Sequence, residues 1–121
     1  MAFAELNYRL AKSLRQNSQF IITELNLPFL TQKNLALNSK IKVGTNLANE
    51  PALLQELVAG LIDRGDLFVA RVRLHTPANG ALAEQFSREN GYAKSARDLT
   101  WSYASFLTAI HFRNHVLKGV P

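Results

Sequence analysis

Several common protein features are missing from this chain of 121 residues. It has no cysteine, which excludes disulfide bonds and cysteine metal sites. It has no Asn-x-Ser/Thr acceptor for N-linked glycans, and no apolar run approaches the roughly 20 residues of a membrane-spanning helix. The first residues do not form a signal peptide pattern, because Glu5 and Arg9 interrupt the apolar stretch. We therefore predict a protein without disulfides and without a membrane partner.

Runs of like charge are also missing, although the formal net charge is +5. The lysines and arginines are scattered singly along the chain, and they do not alternate with aromatic residues as on surfaces that bind single-stranded nucleic acid. A basic helical nucleic-acid binder is one alternative that the charge leaves open. Solvated helix faces explain the same charge, and we predict no nucleic-acid partner.

Helical periodicity dominates the apolar residues, which make up 47% of the sequence. Residues 2 to 16 repeat them at helical spacing, which predicts a first helix. The predicted buried face of this helix consists of Phe3, Leu6, Leu10 and Leu14. Residues 20 to 22 fit a short strand, and residues 31 to 48 are polar enough to predict a surface loop.

The strongest helical pattern begins after Asn49, a plausible N-cap, and continues to residue 75. Its predicted apolar face consists of Leu54, Leu57, Val58, Leu61, Ile62, Phe68, Val69 and Val72. Gly60 and Gly65 interrupt the pattern, which indicates either close packing against another helix or a kink. The turn-forming residues 76 to 80 end this helix.

A third helix is predicted to begin near Ser95, because Ser95 and Asp98 have the spacing of a capping box. Its apolar face is predicted to consist of Leu99, Tyr103, Phe106, Leu107 and Ile110. Trp101 lies on another side, so this helix is either sandwiched between layers or faces a pocket. Three helices plus loops predict an all-α protein.

Two groups of side chains could carry chemistry. His111 and His115 have the spacing that can present two imidazoles to one metal, but no third ligand is evident and we predict no metal site. Glu84 lies on the loop before the last helix, where carboxylates are either solvated or functional. Its role stays open on these grounds alone.

Two sequence blocks stand out in the last third of the chain. They are AEQF at residues 83 to 86 and SARDLTWSY at residues 95 to 103. These blocks and the spacing between them resemble the C-terminal signature of the glucoamylase family of glycoside hydrolases, of the yeast and fungal type. The segments AFAELNYRLAKSL and FIITELNLPFL and residues 50 to 75 are also similar to that family, so the resemblance covers essentially the whole chain.

The resemblance implies an all-α fold, the C-terminal portion of an (α/α)6 toroid with about three helices plus loops. It implies an inverting hydrolase that removes terminal α-1,4-linked glucose from starch or glycogen-type chains without a cofactor. By the same resemblance, Glu84 is the general base that activates water. Ser95 supports the base by hydrogen bonding, and Trp101 lies beside the substrate funnel.

The general acid of that family has no counterpart in this sequence, since Glu89 and Asp98 do not match an acid motif. An inverting glycosidase needs two carboxylates. We therefore expect residues 1 to 121 to be a single partial domain, a C-terminal fragment of the catalytic domain. This fragment is expected to be inactive alone. Its expected partner is a starch or glycogen-type glucan or a maltooligosaccharide when the full domain is present.

Two further expectations accompany the fragment hypothesis. The chain is expected to self-associate through apolar faces that a whole toroid would cover. The alternative function is that of a non-catalytic helical binding or regulatory fragment of toroid ancestry. Members of the family are secreted or vacuolar, and the compartment of this chain stays open.

Overall fold

The computed structural model describes residues 1–31 and 40–119 of the chain. Four α-helices are present in this part: α1 (Ala2–Gln16), α2 (Leu27–Leu30), α3 (Pro51–His75) and α4 (Thr100–Lys118). A 3-10 turn covers Leu47–Asn49, and the short strands β1 (Gln85–Phe86) and β2 (Ala93–Lys94) form an antiparallel hairpin. The predicted all-α class is confirmed.

Helix α1 packs against both α3 and α4, and its buried residues differ from those predicted. The side chains buried in these contacts are Ala4, Asn7, Tyr8, Ala11 and Leu14. Of the predicted apolar face only Leu14 is fully buried, while Phe3 and Leu6 remain 62% and 47% exposed. The prediction was wrong because helices approach most closely where side chains are small, and the alanines of α1 allow that approach.

Helix α3 largely follows its predicted pattern, since Leu57, Val58, Leu61 and Ile62 are all buried. It begins at Pro51, the first helical position that proline favours, so the N-cap is Glu50 and not the predicted Asn49. Asn49 instead ends the 3-10 turn. The helix ends at His75, as the turn-forming residues after it predicted.

Gly65 lies where α3 meets α1, and the predicted close packing is confirmed there. A Cβ atom at this position would lie 2.4 Å from Cε1 of the buried Tyr8 ring. That distance is far inside van der Waals contact, so only glycine lets the aromatic ring rest on the backbone of α3.

The connection between α1 and α3 differs from its prediction in two ways. Residues 20 to 22 make only an isolated bridge, between Ile21 and Asn46, and not a strand. The predicted surface loop includes Ile41 and Leu47, which are buried in the hydrophobic core. Residues 32 to 39 of that loop lie outside the described residues.

A polar network joins the three long helices. The Tyr8 hydroxyl of α1 donates to Oδ1 of Asp66 in α3 at 2.6 Å. Arg113 of α4 donates to both carboxylate oxygens of Asp66, at 2.7 and 2.8 Å. These hydrogen bonds from Arg113 hold the pKa of Asp66 below its usual range, and burial raises the pKa of Tyr8. The network therefore fixes the helices relative to one another with an ionised carboxylate at its centre.

Large apolar side chains remain exposed on all three long helices. They include Phe3, Leu6, Leu67, Leu74, Trp101 and Leu107. Because removing such surface from water is favourable, we expect the 121-residue chain to form dimers or larger species at micromolar concentration. Sedimentation velocity over a range of concentrations would measure this, with Leu74→Ser and Leu107→Ser together expected to favour the monomer. A wild-type chain that stays monomeric at every concentration would contradict the expectation.

Candidate active site

Glu84 lies at the start of the hairpin that follows α3, on a backbone held against the beginning of α4. The preceding Leu82 and Ala83 are buried, whereas the Glu84 side chain is exposed. The Leu99 N–H donates to the Leu82 carbonyl at 3.1 Å, and the Ser102 hydroxyl donates to the Ala83 carbonyl at 2.9 Å. The carboxylate thus extends into solvent from a fixed main chain.

The hairpin brings Ser95 opposite Glu84, although the two residues are 11 positions apart. The Glu84 N–H donates to the Ala96 carbonyl at 2.9 Å, which continues the pairing of β1 with β2. The Ser95 hydroxyl donates to the Glu84 carboxylate, and the Ala96 N–H donates to the same oxygen at 3.4 Å. The Ser95 hydrogen bond lowers the pKa of Glu84, and the Ala96 N–H lowers it further. This carboxyl group is therefore held in its ionised form.

The predicted capping box at Ser95 and Asp98 is wrong. Helix α4 begins at Thr100 with Leu99 as its N-cap, and no side chain of the described residues caps it. Ser95 and Asp98 have φ values of 65° and 53°, in the left-handed region that cannot continue into a right-handed helix. The two residues have the spacing of a capping box, but Ser95 binds Glu84 and Asp98 binds Tyr103 instead.

A cleft of about 490 Å³ lies in front of Glu84. Its walls include Val72, Phe86, Ser102 and Trp101, whose side chain is 79% exposed. Among the described residues that line the cleft, Glu84 is the only one with a carboxylate. The cleft therefore combines one ionised acceptor for a proton with an exposed aromatic face. Ser95, which donates to the Glu84 carboxylate, does not itself line the cleft.

The predicted apolar face of α4 is only partly correct. The fully buried residues of this helix are Ala109 and Val116, which the prediction did not include, and Leu107 is exposed. Trp101, which was predicted on another side of the helix, lines the cleft. Both buried side chains belong to the hydrophobic core, and α4 contacts α1.

Tyr103 was predicted as an apolar-face residue, and its polar role was missed. Its hydroxyl accepts a hydrogen bond from the Leu82 N–H at 3.1 Å and donates to the Asp98 carboxylate at 2.6 Å. The hydrogen bond to Asp98 raises the pKa of Tyr103. No local signal predicts this, because Leu82 is 21 residues away in the sequence.

The two histidines near the end of α4 lie against each other. The ring centroids of His111 and His115 are 4.3 Å apart. Burial lowers the pKa of His115, and electrostatic repulsion from the neighbouring His111, Lys12 and Lys118 lowers it further. The described part of the chain contains no group of three or more His, Cys, Asp or Glu residues that could hold a metal ion. None of its helices is both long enough and apolar enough to cross a membrane.

Comparison with known proteins identifies the family of this chain. A family model described as glycosyl hydrolases family 15 matches residues 1–111. Glucoamylase 1 of Rhizopus oryzae is 39% identical in an alignment of 121 positions that covers 98% of this chain and 18% of that protein. Glucoamylase of Blastobotrys adeninivorans is 34% identical over 116 residues, covering 96% of this chain and 18% of the relative.

The similarity extends along nearly all of this chain but only a small part of each relative. Glucoamylase-1 of Arthroderma benhamiae is 31% identical over 118 residues, again 98% of this chain and 18% of the relative. The described helices are part of an (α/α) toroid, the fold of the matched family. The chain therefore belongs to glycosyl hydrolases family 15 and is a glucoamylase-like segment of that family.

Proposed function

We propose that this chain supplies the base-carrying end of a glucoamylase-type active site. In that site Glu84 removes a proton from the water that attacks a terminal α-1,4-linked glucose of a starch or glycogen-type chain. The anomeric centre is inverted because water attacks from the face opposite the leaving oxygen. The reaction uses water and two carboxyl groups and no cofactor. Residues 1–121 act as one part of a larger domain in this proposal.

The environment of Glu84 carries the proposal. A general base must be ionised and must reach the proton that it removes. The Ser95 hydroxyl and the Ala96 N–H both donate to the Glu84 carboxylate, and they lower its pKa. The side chain is nonetheless exposed on the cleft, so a water molecule has access to it. We assign the role of general base to Glu84 and that of its support to Ser95.

The position of Trp101 favours a carbohydrate as the ligand of this cleft. Its exposed indole lines the same cavity as Glu84. The faces of a pyranose ring carry C–H groups, which pack favourably on an aromatic surface, while the hydroxyl groups at the ring edge keep their hydrogen bonds. An indole beside the base would orient a terminal glucose without competing for the attacking water. We assign Trp101 to the wall of the substrate funnel.

The second carboxyl group is expected to come from another part of the domain, since Glu84 is the only carboxylate among the described residues that line the cleft. The 121-residue chain alone is therefore expected to release no measurable glucose from maltooligosaccharides. Joining it to the preceding part of a glucoamylase-type domain is expected to restore hydrolysis, with β-glucose as the first product in a proton NMR time course.

The preceding part alone serves as the control and is expected to be inactive. Glucose release by the 121-residue chain alone would contradict the assignment of a second, external carboxyl group. A chimera that folds cooperatively and binds maltose but does not hydrolyse it would reject the proposed function.

Removing the support of the base is expected to change the pH dependence of the chimera. The Ser95 hydroxyl stabilises the ionised form of Glu84, so Ser95→Ala should raise the pKa of that carboxyl group. Because the base acts only when deprotonated, the acidic limb of the pH profile of kcat should move to higher pH. Ser13→Ala, at an exposed serine of α1, is the control. If the acidic limb of the pH profile of kcat does not move in Ser95→Ala, Ser95 does not support the base.

A further inference from the structure

The hydroxyl group of Tyr103 lies between the two chain segments that carry Glu84 and Ser95. It accepts from the N–H of Leu82, two residues before Glu84, at 3.1 Å. It donates to the carboxylate of Asp98, three residues after Ser95, at 2.6 Å. This one hydroxyl therefore links the segment of Glu84 to the segment of Ser95, and both of its hydrogen bonds are made within three residues of these two side chains.

The segment that carries Ser95 needs such support. Ser95 and Asp98 have φ values of 65° and 53°, and side-chain-bearing residues keep this left-handed conformation only where surrounding bonds hold it. The Asp98 carboxylate that binds Tyr103 belongs to one of these two residues. Without that bond, the segment would be free to relax toward the more favourable right-handed or extended conformations. Relaxation would move the Ser95 hydroxyl relative to Glu84.

Tyr103 is not in contact with the cleft in front of Glu84. It lines a neighbouring apolar cavity of about 440 Å³ together with Val69, Phe106 and Leu107. A substrate in the cleft would therefore meet Glu84 and Trp101, while Tyr103 stays behind the loop. Any influence of its hydroxyl on the reaction must pass through Leu82 and Asp98.

We propose that Tyr103 is a positioning residue for Glu84, whose hydroxyl holds the segment 95–98 against the segment 82–84 so that Ser95 donates to the carboxylate. This inference rests on the proposed function, in which Glu84 is the general base. Tyr103 lies at the start of α4, the helix that packs on α1, so its hydroxyl extends to the loop from a regular element. The Tyr103 hydroxyl thus links the loop segments around Glu84 and Ser95 to α4.

Tyr103→Phe tests the proposal because it removes one oxygen and keeps the ring. The side-chain carboxyl carbon of Glu84 would be followed by NMR during a pH titration of the 121-residue chain labelled with 13C-glutamate. We expect Tyr103→Phe to raise the pKa of Glu84 by an amount comparable with Ser95→Ala. The double variant should raise it by less than the sum of the two single increases, since both changes weaken the same hydrogen bond from Ser95 to Glu84.

Tyr92→Phe is the matched control, as Tyr92 lies on the same hairpin with its side chain 74% exposed. It should leave the titration of Glu84 unchanged. A pKa of Glu84 that is the same in Tyr103→Phe and in the wild type would overturn the proposal. So would a double variant in which the two increases add, because Tyr103 would then act independently of Ser95.

Two substitutions at Asp98 test the same bond if Tyr103→Phe fails to give a folded chain. Asparagine and glycine are both neutral and both tolerate positive φ, but only asparagine offers an oxygen to the Tyr103 hydroxyl. Asp98→Gly should therefore raise the pKa of Glu84 more than Asp98→Asn. Equal titrations in these two variants would overturn the proposal, whatever the behaviour of Tyr103→Phe.

Failure of this inference can be distinguished from failure of the proposed function. The titration reports the environment of the Glu84 carboxyl group and not its catalytic role, so it stays informative even if Glu84 is not the base. If Ser95→Ala raises the pKa of Glu84 and Tyr103→Phe does not, the inference fails and the function stands. If both raise it but Glu84→Gln leaves turnover in a complete domain unimpaired, the function fails and the positioning of the carboxylate stands.

Discussion

Replacing Glu84 with glutamine in a complete domain is expected to lower kcat by about 10²–10⁴-fold, the usual contribution of a positioned general base. Water must lose a proton as it attacks the anomeric carbon, and the glutamine amide cannot accept that proton. Because the base acts in the transition state, KM for maltooligosaccharides should change little. Steady-state kinetics of the wild-type and Glu84→Gln chimeras measure both parameters.

Glu89→Gln is the matched control for this experiment. Glu89 lies on the same hairpin, five residues further on, but it does not line the cleft with Glu84. Its replacement makes the same chemical change and should leave kcat within about 2-fold of the wild type, as expected for an exposed carboxylate outside the site. Unimpaired turnover in Glu84→Gln, or an equal loss in Glu89→Gln, would reject Glu84 as the base.

Adding one methyl group at Gly65 is expected to destabilise the fold by about 3 kcal/mol or more, at the upper end of overpacking costs. The Cβ of alanine would lie 2.4 Å from the Tyr8 ring, and that ring is fully buried and bound to Asp66 through its hydroxyl. Neither the Tyr8 ring nor the backbone of α3 can move without disturbing the packing of α1 on α3. The roughly 1 kcal/mol by which alanine favours a helix over glycine therefore does not offset the cost of the clash. Urea denaturation followed by circular dichroism measures the effect.

Two further variants make the stability experiment specific. Gln55→Ala introduces the same residue at an exposed position of α3 and should change the free energy of unfolding by no more than about 0.5 kcal/mol. In a Tyr8→Leu background, where the shorter side chain leaves room, the additional penalty of Gly65→Ala should be smaller. The same penalty in both backgrounds would show that the Tyr8 ring is not its cause.

The helices were the most predictable part of the fold. The apolar pattern of α3 and the turn after it depend on neighbouring residues, and Leu57, Val58, Leu61 and Ile62 are buried as that pattern indicates. The face of α1 could not be predicted in the same way. Its large apolar residues Phe3 and Leu6 have the right spacing, but burial depends on which neighbouring helix comes close, and periodicity does not contain that information.

The sequence alone determined the helical class of this protein and its membership of a glycoside hydrolase family, because both depend on local patterns and on two blocks at a fixed spacing. It also singled out Glu84, Ser95 and Trp101 by resemblance. Only the tertiary structure decided that Ser95 donates to Glu84 and does not cap α4, and that the Tyr103 hydroxyl joins Leu82 to Asp98. These contacts are decided by the hairpin and by the packing of α4, which bring together groups far apart in the chain.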